Sequence, residues 1–98
     1  GKYEASYQQA MDEFRAERAR FVDELHKIGF LRVLPSEANY LLCEVKQPHT
    51  PRELAIRLLK DYDILIKDCT SKCNAPYIRI AVRDTDDNNR LIDAFSKL

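Results

Sequence analysis

The chain has 98 residues, 45% of them hydrophobic, and its 16 lysines and arginines balance 16 aspartates and glutamates. This length suits one domain with one core, and the zero net charge gives nucleic acid or an anionic membrane no overall attraction for it. No apolar run reaches the roughly 18 residues of a membrane span, and the N-terminus lacks a signal-peptide pattern, so a soluble, cytoplasmic protein is expected.

The chain opens on a long amphipathic pattern. Apolar residues recur at steps of three and four from about residue 4 to 28, with charged residues between them. The pattern predicts a helix that ends near Gly29 with a C-terminal glycine cap. Because the chain begins Gly1-Lys2 without an initiator methionine, directly ahead of this pattern, it is interpreted as a piece of a longer polypeptide.

Two strand-like runs follow, "FLRVL" (30–34) and "YLLCEV" (40–45), separated by the turn formers of "PSEAN" (35–39). The second run is apolar at several consecutive positions, which predicts a strand covered on both faces. In "HTPRELAIRLLKD", Thr50 and Pro51 have the N-cap and first-turn positions of a helix, and Glu53 is placed to complete a capping box. The buried stripe of this helix is predicted to comprise Leu54, Ala55, Leu58 and Leu59.

The last third of the chain predicts a strand over 64–67, a nine-residue loop, a strand over 77–83 and a helix over 86–97. Asp86 and Asp87 suit the positive end of that helix dipole. The element order α-β-β-α-β-β-α, with short joins, predicts one α+β domain over residues 1–98: a small, mostly antiparallel sheet of about four strands with helices on one face.

Strand alternation singles out Arg79. Ile78, Ile80 and Val82 share one face of the predicted strand, so Arg79 points to the other, away from the helices. An arginine held by a strand can donate two parallel hydrogen bonds to a planar carboxylate. Periodicity alone favours a solvated arginine on an exposed face. Arg83 has aspartates close in sequence, which indicates an ion pair.

Three further residues are candidates for the same site. Lys67 ends the strand before the loop and is expected beside Arg79, although a surface lysine explains it as well. Asn39 and Tyr40, at the start of the second strand, are possible hydrogen-bond donors at a site edge. Turn chemistry also explains Asn39, and core packing also explains Tyr40.

Residues for catalysis or metal binding do not form recognisable motifs. Cys43, Cys69 and Cys73 lack the second Cys or His pair of a zinc site, so free thiols and no metal are expected. His26 and His49 have no nucleophile or ligand at a useful spacing. No phosphate loop or Gly-x-Ser-x-Gly occurs, and these residues alone carry no reaction.

Three stretches, "RVLPSEANYLLCEV", "ILIKDCTSK" and "YIRIAVRDTDDNNRLIDAF", carry a family resemblance. In this order and spacing they resemble the small C-terminal domain of fold-type I pyridoxal-phosphate aminotransferases. Among these the chain is most similar to the histidinol-phosphate aminotransferase and threonine-phosphate decarboxylase group. The resemblance implies that Arg79 binds the α-carboxylate of the substrate. Lys67 stands where that group usually has an arginine that contacts a substrate anion.

The resemblance also implies what lies outside the chain. The lysine that bonds to pyridoxal 5'-phosphate, and the residues that hold this cofactor, belong to a large domain. The helix over residues 1–28 would lead in from that domain, and the chain alone would be inactive and bind no cofactor. The expected partners are the large domain of the same polypeptide, an amino-acid or keto-acid substrate of amino-acid metabolism, and a second subunit in a homodimer. Fusion behind a nucleotidyltransferase domain is a further expectation.

Two readings of a different class remain open from the residues. One is a free-standing small-molecule-binding or regulatory α+β module. The other is an interaction domain that docks through its long first helix. Binding of amino acids or keto acids by the 98 residues alone would favour the former, and loss of a partner on removal of residues 1–15 would favour the latter.

Overall fold

The computed structural model describes the backbone of residues 2–35 and 39–98. Over these residues the predicted element order is confirmed, with one short helix added in the predicted loop. The elements are α1 (Lys2–His26), β1 (Leu31–Val33), β2 (Tyr40–Val45), α2 (Pro51–Tyr62), β3 (Lys67–Asp68), α3 (Thr70–Cys73), β4 (Tyr77–Ala81) and α4 (Thr85–Ser96). The predicted turn at 35–39 lies partly outside the described residues. Nowhere in the described ranges does a helix have the length and apolarity to cross a membrane.

The strands form one antiparallel sheet in the order β1-β2-β4-β3, which confirms the α+β architecture. Side chains alternate across it, so one face is buried and the other open. The buried face comprises Leu31, Val33, Leu41, Cys43, Val45, Ile78 and Ile80. The prediction that β2 is covered on both faces is wrong, because its alternate residues Tyr40, Leu42 and Glu44 are exposed or half-buried.

The helices cover only the buried face. Phe21 and Leu25 of α1, Leu54 and Leu58 of α2, and Phe95 of α4 are all 1% exposed or less. Each such side chain contributes about 1.5–3 kcal/mol through burial. The predicted stripe of α2 is wrong at one position: Leu59 is 51% exposed and Ala55 is half-buried.

The start of α2 is as predicted, except that the Glu53 side chain has a different partner. Thr50 Oγ1 accepts a hydrogen bond from the Glu53 amide at 3.1 Å, and Pro51 occupies the first turn. The Glu53 carboxylate does not complete a box with Thr50; its Oε1 lies 2.8 Å from His49 Nδ1. The helix ends at Tyr62, and its C-cap residue Asp63 adopts the left-handed conformation with φ 56°.

Two predicted boundaries are wrong for identifiable reasons. The α1 helix ends at His26, and Gly29 has no positive φ, so it forms no glycine cap. Instead, successive turns carry the chain to β1, with the Leu31 amide donating to Ile28 O at 3.1 Å. The strand predicted over 64–67 is reduced to Lys67–Asp68, because the Ile64 amide donates to Leu58 O at 3.0 Å and ties the preceding segment to α2.

The end of β4 is anchored by a buried polar side chain. Asn88 of α4 is 2% exposed; its Oδ1 accepts from the Arg83 amide at 3.0 Å, and its Nδ2 donates to Arg83 O at 3.0 Å. The same amide nitrogen donates to Glu17 Oε2 of α1 at 2.9 Å. One side chain therefore joins α1, α4 and the segment that follows β4. That strand ends at Ala81, earlier than the predicted Arg83.

Candidate functional site

The open face of the sheet brings Arg79 and Lys67 together. Lys67 is the Cα partner of Arg79 on β3, and Leu42 is its partner on β2. The three side chains therefore form one row across three strands, with directly opposed Cβ atoms about 4.5–5.5 Å apart. The prediction that Lys67 lies on the strand beside Arg79 is confirmed, and both residues are exposed.

The two cations of this row have no carboxylate partner among residues 2–35 and 39–98. Over the described part of the chain, neither Arg79 nor Lys67 forms an ion pair. Nearby arginines do: Arg32 Nε donates to Glu44 Oε1 at 3.0 Å, and Arg83 Nε donates to Asp87 Oδ2 at 2.8 Å. The predicted pairing of Arg83 with a nearby aspartate is confirmed. Like charges directly opposite each other on a sheet repel, so the Arg79–Lys67 pair favours the approach of an anion.

Asp68 is the carboxylate closest in sequence to Lys67, and it is held elsewhere. Its Oδ1 accepts from Thr70 Oγ1 at 2.6 Å and from the Thr70 amide at 2.9 Å. These two bonds lower the pKa of Asp68 below its ordinary value of 3.8 and keep the carboxylate at the start of α3. The Asp68 carboxylate is therefore engaged by Thr70 and forms no ion pair with Lys67 or Arg79 within the described residues.

An open depression lies beside the two cations. It has a volume of about 430 Å³ and is lined by Leu65, Ile66, Lys67, Asp68, Arg79 and Ala81. Leu65 is 80% exposed at its rim, where the segment before β3 separates from β4. The depression can admit a small anion with an apolar body, but without a cover it cannot exclude water.

Asn39 lies next to the row of Arg79 and Lys67 but does not contact either side chain through a hydrogen bond among the described residues. Its backbone oxygen accepts from the Val82 amide at 2.9 Å, which extends the pairing of β2 with β4 by one residue. Among the described residues, no hydrogen bond or ion pair joins the Asn39 side chain to Lys67 or Arg79. The structure therefore brings Lys67 and Arg79 together, and Asn39 stays at the edge of the row.

Of the two interpretations of Tyr40, core packing is wrong. It is 46% exposed on the open face, and the Arg79 guanidinium carbon lies 5.2 Å from the centroid of its ring. This separation is within the range of a cation–π contact. Alternation along β2 was the available signal, since Leu41 and Cys43 face the helices. The missing information was the register that sets Tyr40 opposite Ala81.

The described residues do not fit pyridoxal phosphate as a complete site. Such a site unites an aldimine-forming lysine with a partner for the pyridine nitrogen and donors for the phosphate. Lys67 instead lies beside another cation on an open surface, and the neighbouring Asp68 carboxylate is engaged by Thr70. Within the described ranges, no group of three His, Cys, Asp or Glu side chains is placed to hold a metal ion.

Similar proteins match most of this chain, but the chain covers only part of each of them. It is 30% identical over 93 residues to histidinol-phosphate aminotransferase 2 of Archaeoglobus fulgidus, which spans 94% of the chain and 26% of that protein. It is 32% identical over 83 residues to an adenosylcobalamin biosynthesis bifunctional protein of Leptospira interrogans, which spans 83% of the chain and 10% of that protein.

Solved structures likewise match most of this chain, while the chain covers about a quarter of each of them. The histidinol-phosphate aminotransferase of Clostridium acetobutylicum matches 85% of the chain and 25% of its own, with 34% identity and a TM-score of 0.78. A decarboxylase of Sulfurospirillum multivorans matches 99% of the chain and 25% of its own, with 25% identity and a TM-score of 0.91. The sequence model of the family described as aminotransferase class I and II matches residues 2–95. This chain therefore belongs to the aminotransferase class I and II family.

Proposed function

We propose that this chain is the C-terminal, substrate-closing domain of a pyridoxal-phosphate-dependent aminotransferase, and that Arg79 binds the carboxylate of the substrate. One observation carries the proposal. Arg79 and Lys67 oppose each other on the open face of the sheet, and neither has a carboxylate partner among the described residues. A substrate carboxylate placed here would neutralise both cations.

The two cations would contribute differently to binding. The guanidinium of Arg79 can donate two parallel hydrogen bonds to one carboxylate, which fixes the orientation of the substrate as well as its position. The ammonium of Lys67 is a point charge on a flexible stem, so it supplies attraction without the same geometry. Asn39, at the edge of the row, would donate a further hydrogen bond from its side-chain amide.

The remaining chemistry would belong to a large domain of the same polypeptide. That domain would supply pyridoxal phosphate, its lysine and the residues that hold the cofactor, in a cytoplasmic homodimer. The open depression beside Arg79 needs a covering surface to exclude water, and domain closure would provide it. The chain spans 10% to 26% of two of its relatives, which supports a role as one part of a larger enzyme. Fusion to a nucleotidyltransferase domain is a separate part of this proposal.

The first test is to read the coding sequence upstream of Gly1 and to express the whole polypeptide. A cofactor-binding domain with its lysine, and a yellow protein that transfers an amino group to a keto acid, are the expected results. A colourless protein despite an intact lysine would contradict the proposal. The same sequence decides whether a nucleotidyltransferase domain is present.

The 98-residue chain provides the complementary test. Because half of the site would be missing, calorimetric titration with amino acids and keto acids is expected to give no heat. Measurable heat that disappears in Arg79→Ala would instead favour a free-standing small-molecule-binding module.

A further inference from the structure

The contact between Tyr40 and Arg79 crosses two strands of the sheet diagonally. Tyr40 is the partner of Ala81, two residues beyond Arg79 on β4, and diagonal neighbours of this kind lie within reach of an aromatic ring. The ring centroid and the guanidinium carbon are 5.2 Å apart. Tyr40 thus provides a surface against which the flexible Arg79 side chain can rest on an otherwise open face.

A guanidinium that rests on the ring through its own face would keep its hydrogen-bonding edge available. A cation over a ring is attracted by the ring's electron-rich face, whereas the five N–H groups of a guanidinium point outward in its own plane. Arg32 and Arg83 differ, because the Nε–H groups of these arginines donate to Glu44 and Asp87. A carboxylate partner would have fixed Arg79 equally well, but it would have competed with an incoming anion.

We infer that Tyr40 is the positioning residue for Arg79: its ring holds the guanidinium in place while leaving the N–H edge for the substrate carboxylate. The anion named here rests on the proposed function. The restraint of Arg79 by Tyr40 does not, and it can be measured separately. Pre-organising an exposed arginine in this way corresponds to roughly 2- to 5-fold in affinity for the anion.

The restraint is tested by NMR on the 98-residue chain, through the Nε–Hε resonances of its arginines. In Tyr40→Leu, we expect the Arg79 resonance to lose its ring-current shift and its order, whereas Tyr40→Phe keeps both because it keeps the ring. Arg32 and Arg83 are internal references and should not change in either variant. Tyr77→Leu, on the same face, is the matched control and should leave Arg79 unchanged.

Two results would overturn the inference: an Arg79 resonance that keeps its shift and order in Tyr40→Leu, or an equal loss in Tyr40→Phe. Far-ultraviolet circular dichroism checks that each variant is folded. Tyr40→Thr, which keeps a high strand propensity without an aromatic ring, replaces Tyr40→Leu if that variant does not fold and should give the same loss.

A kinetic measurement on the whole polypeptide separates this inference from the proposed function. Tyr40→Leu should raise KM for the amino-acid substrate roughly 2- to 5-fold with little change in kcat, and Tyr40→Phe should behave like the unaltered enzyme. A fall in kcat at unchanged KM would contradict a positioning role. If Arg79→Ala leaves KM unchanged, the proposed function fails, whereas the NMR result still decides the role of Tyr40.

Discussion

At the scale of single residues, Asn88 is a buried polar side chain that links α1, α4 and the segment after β4. Its amide satisfies both backbone groups of Arg83 and also donates to Glu17. A buried amide with all these partners fixes the start of α4 against the end of β4, next to Arg83 and its ion pair. Nothing in the sequence pattern distinguishes Asn88 from Asn89, since both stand in a polar run at the start of the helix.

Asn88→Asp should therefore destabilise the chain by about 2 kcal/mol, because the new carboxylate faces Glu17 and leaves a buried acceptor without its donor. Asn89→Asp is the matched control. Arg20 Nη2 donates to Asn89 Oδ1 at 2.8 Å, so a carboxylate there gains a cationic partner and stability should change little. Urea denaturation at pH 7 measures the unfolding free energy of both variants. Equal losses in the two variants would contradict the role given to Asn88.

Lys67→Arg tests the second cation of the site. An arginine would restore a two-pronged donor opposite Arg79, so KM of the whole polypeptide for its amino-acid substrate should fall by about threefold. Lys72→Arg, on α3 and away from the row, is the control for the same chemical change and should have no effect. An unchanged KM in Lys67→Arg would show that residue 67 does not contact the anion.

Residue-level predictions succeeded where strand alternation or a short separation in sequence decides the outcome. The face of Arg79 follows from the period of two in its strand, and the ion pair of Arg83 follows from the short distance in sequence to Asp87. The contact of Arg79 with Tyr40 depends on the register between β2 and β4, which is set by packing across the whole sheet. Local pattern does not contain that register.

At the scale of elements, Gly29 shows how a strong local signal can mislead. The glycine stands just after an amphipathic helix, where a left-handed cap is common, yet its φ is not positive. A Cβ added at this position would meet no atom within 4 Å. The chain turns toward β1 through backbone bonds that any residue can make.

Gly29→Ala should therefore stabilise the chain by about 0.4–1 kcal/mol, because alanine restricts the unfolded state without strain in the folded one. Asn74→Ala is the opposite case. Asn74 has φ 51°, where a Cβ without a compensating polar side chain is disfavoured, so that variant should lose stability. Thermal melts of the two variants should shift in opposite directions. A loss of stability in Gly29→Ala would show that the residue needs its conformational freedom after all.

The elements that could be predicted are those with a long periodic pattern or a cap of defined chemistry. Thr50 and Pro51 fixed the start of α2 because their roles are local. The extent of β3 could not be predicted, since Ile64 bonds to Leu58 and the segment before Lys67 stays with α2. The apolar sequence of residues 64–66 is compatible both with a strand and with a segment that packs on α2.

At the scale of the whole molecule, Glu17 links stability to pH. Hydrogen bonds from Arg20 and, to a lesser extent, from Asn88 and Thr85 lower the pKa of Glu17 to about 2, against burial, which raises it. The folded pKa is thus below the ordinary 4.5. The contribution of the carboxylate is complete above about pH 5 and is lost as the pH falls from 4.5 toward 2.

Comparison of the unaltered chain with Glu17→Gln isolates this contribution. The difference in unfolding free energy should be largest at pH 6–7, at most about 3 kcal/mol and reduced by the partial exposure of Arg20, and should shrink as the pH falls below 4.5. Urea denaturation at a series of pH values from 2 to 7 measures it. A difference independent of pH would contradict the lowered pKa.

Arg79 lies within β4 and Arg83 lies just beyond its end, and among the described residues only Arg83 has a carboxylate partner. The most direct test of the proposed function compares Arg79→Lys with Arg83→Lys in the whole polypeptide, with the cofactor absorbance as the check that the protein is loaded. We predict that Arg79→Lys raises KM for the amino-acid substrate by about 10- to 100-fold, through loss of a charged, two-pronged contact, whereas Arg83→Lys leaves it nearly unchanged. Equal KM values for the two variants, or a larger rise in Arg83→Lys, would contradict the assignment of Arg79 as the carboxylate-binding residue.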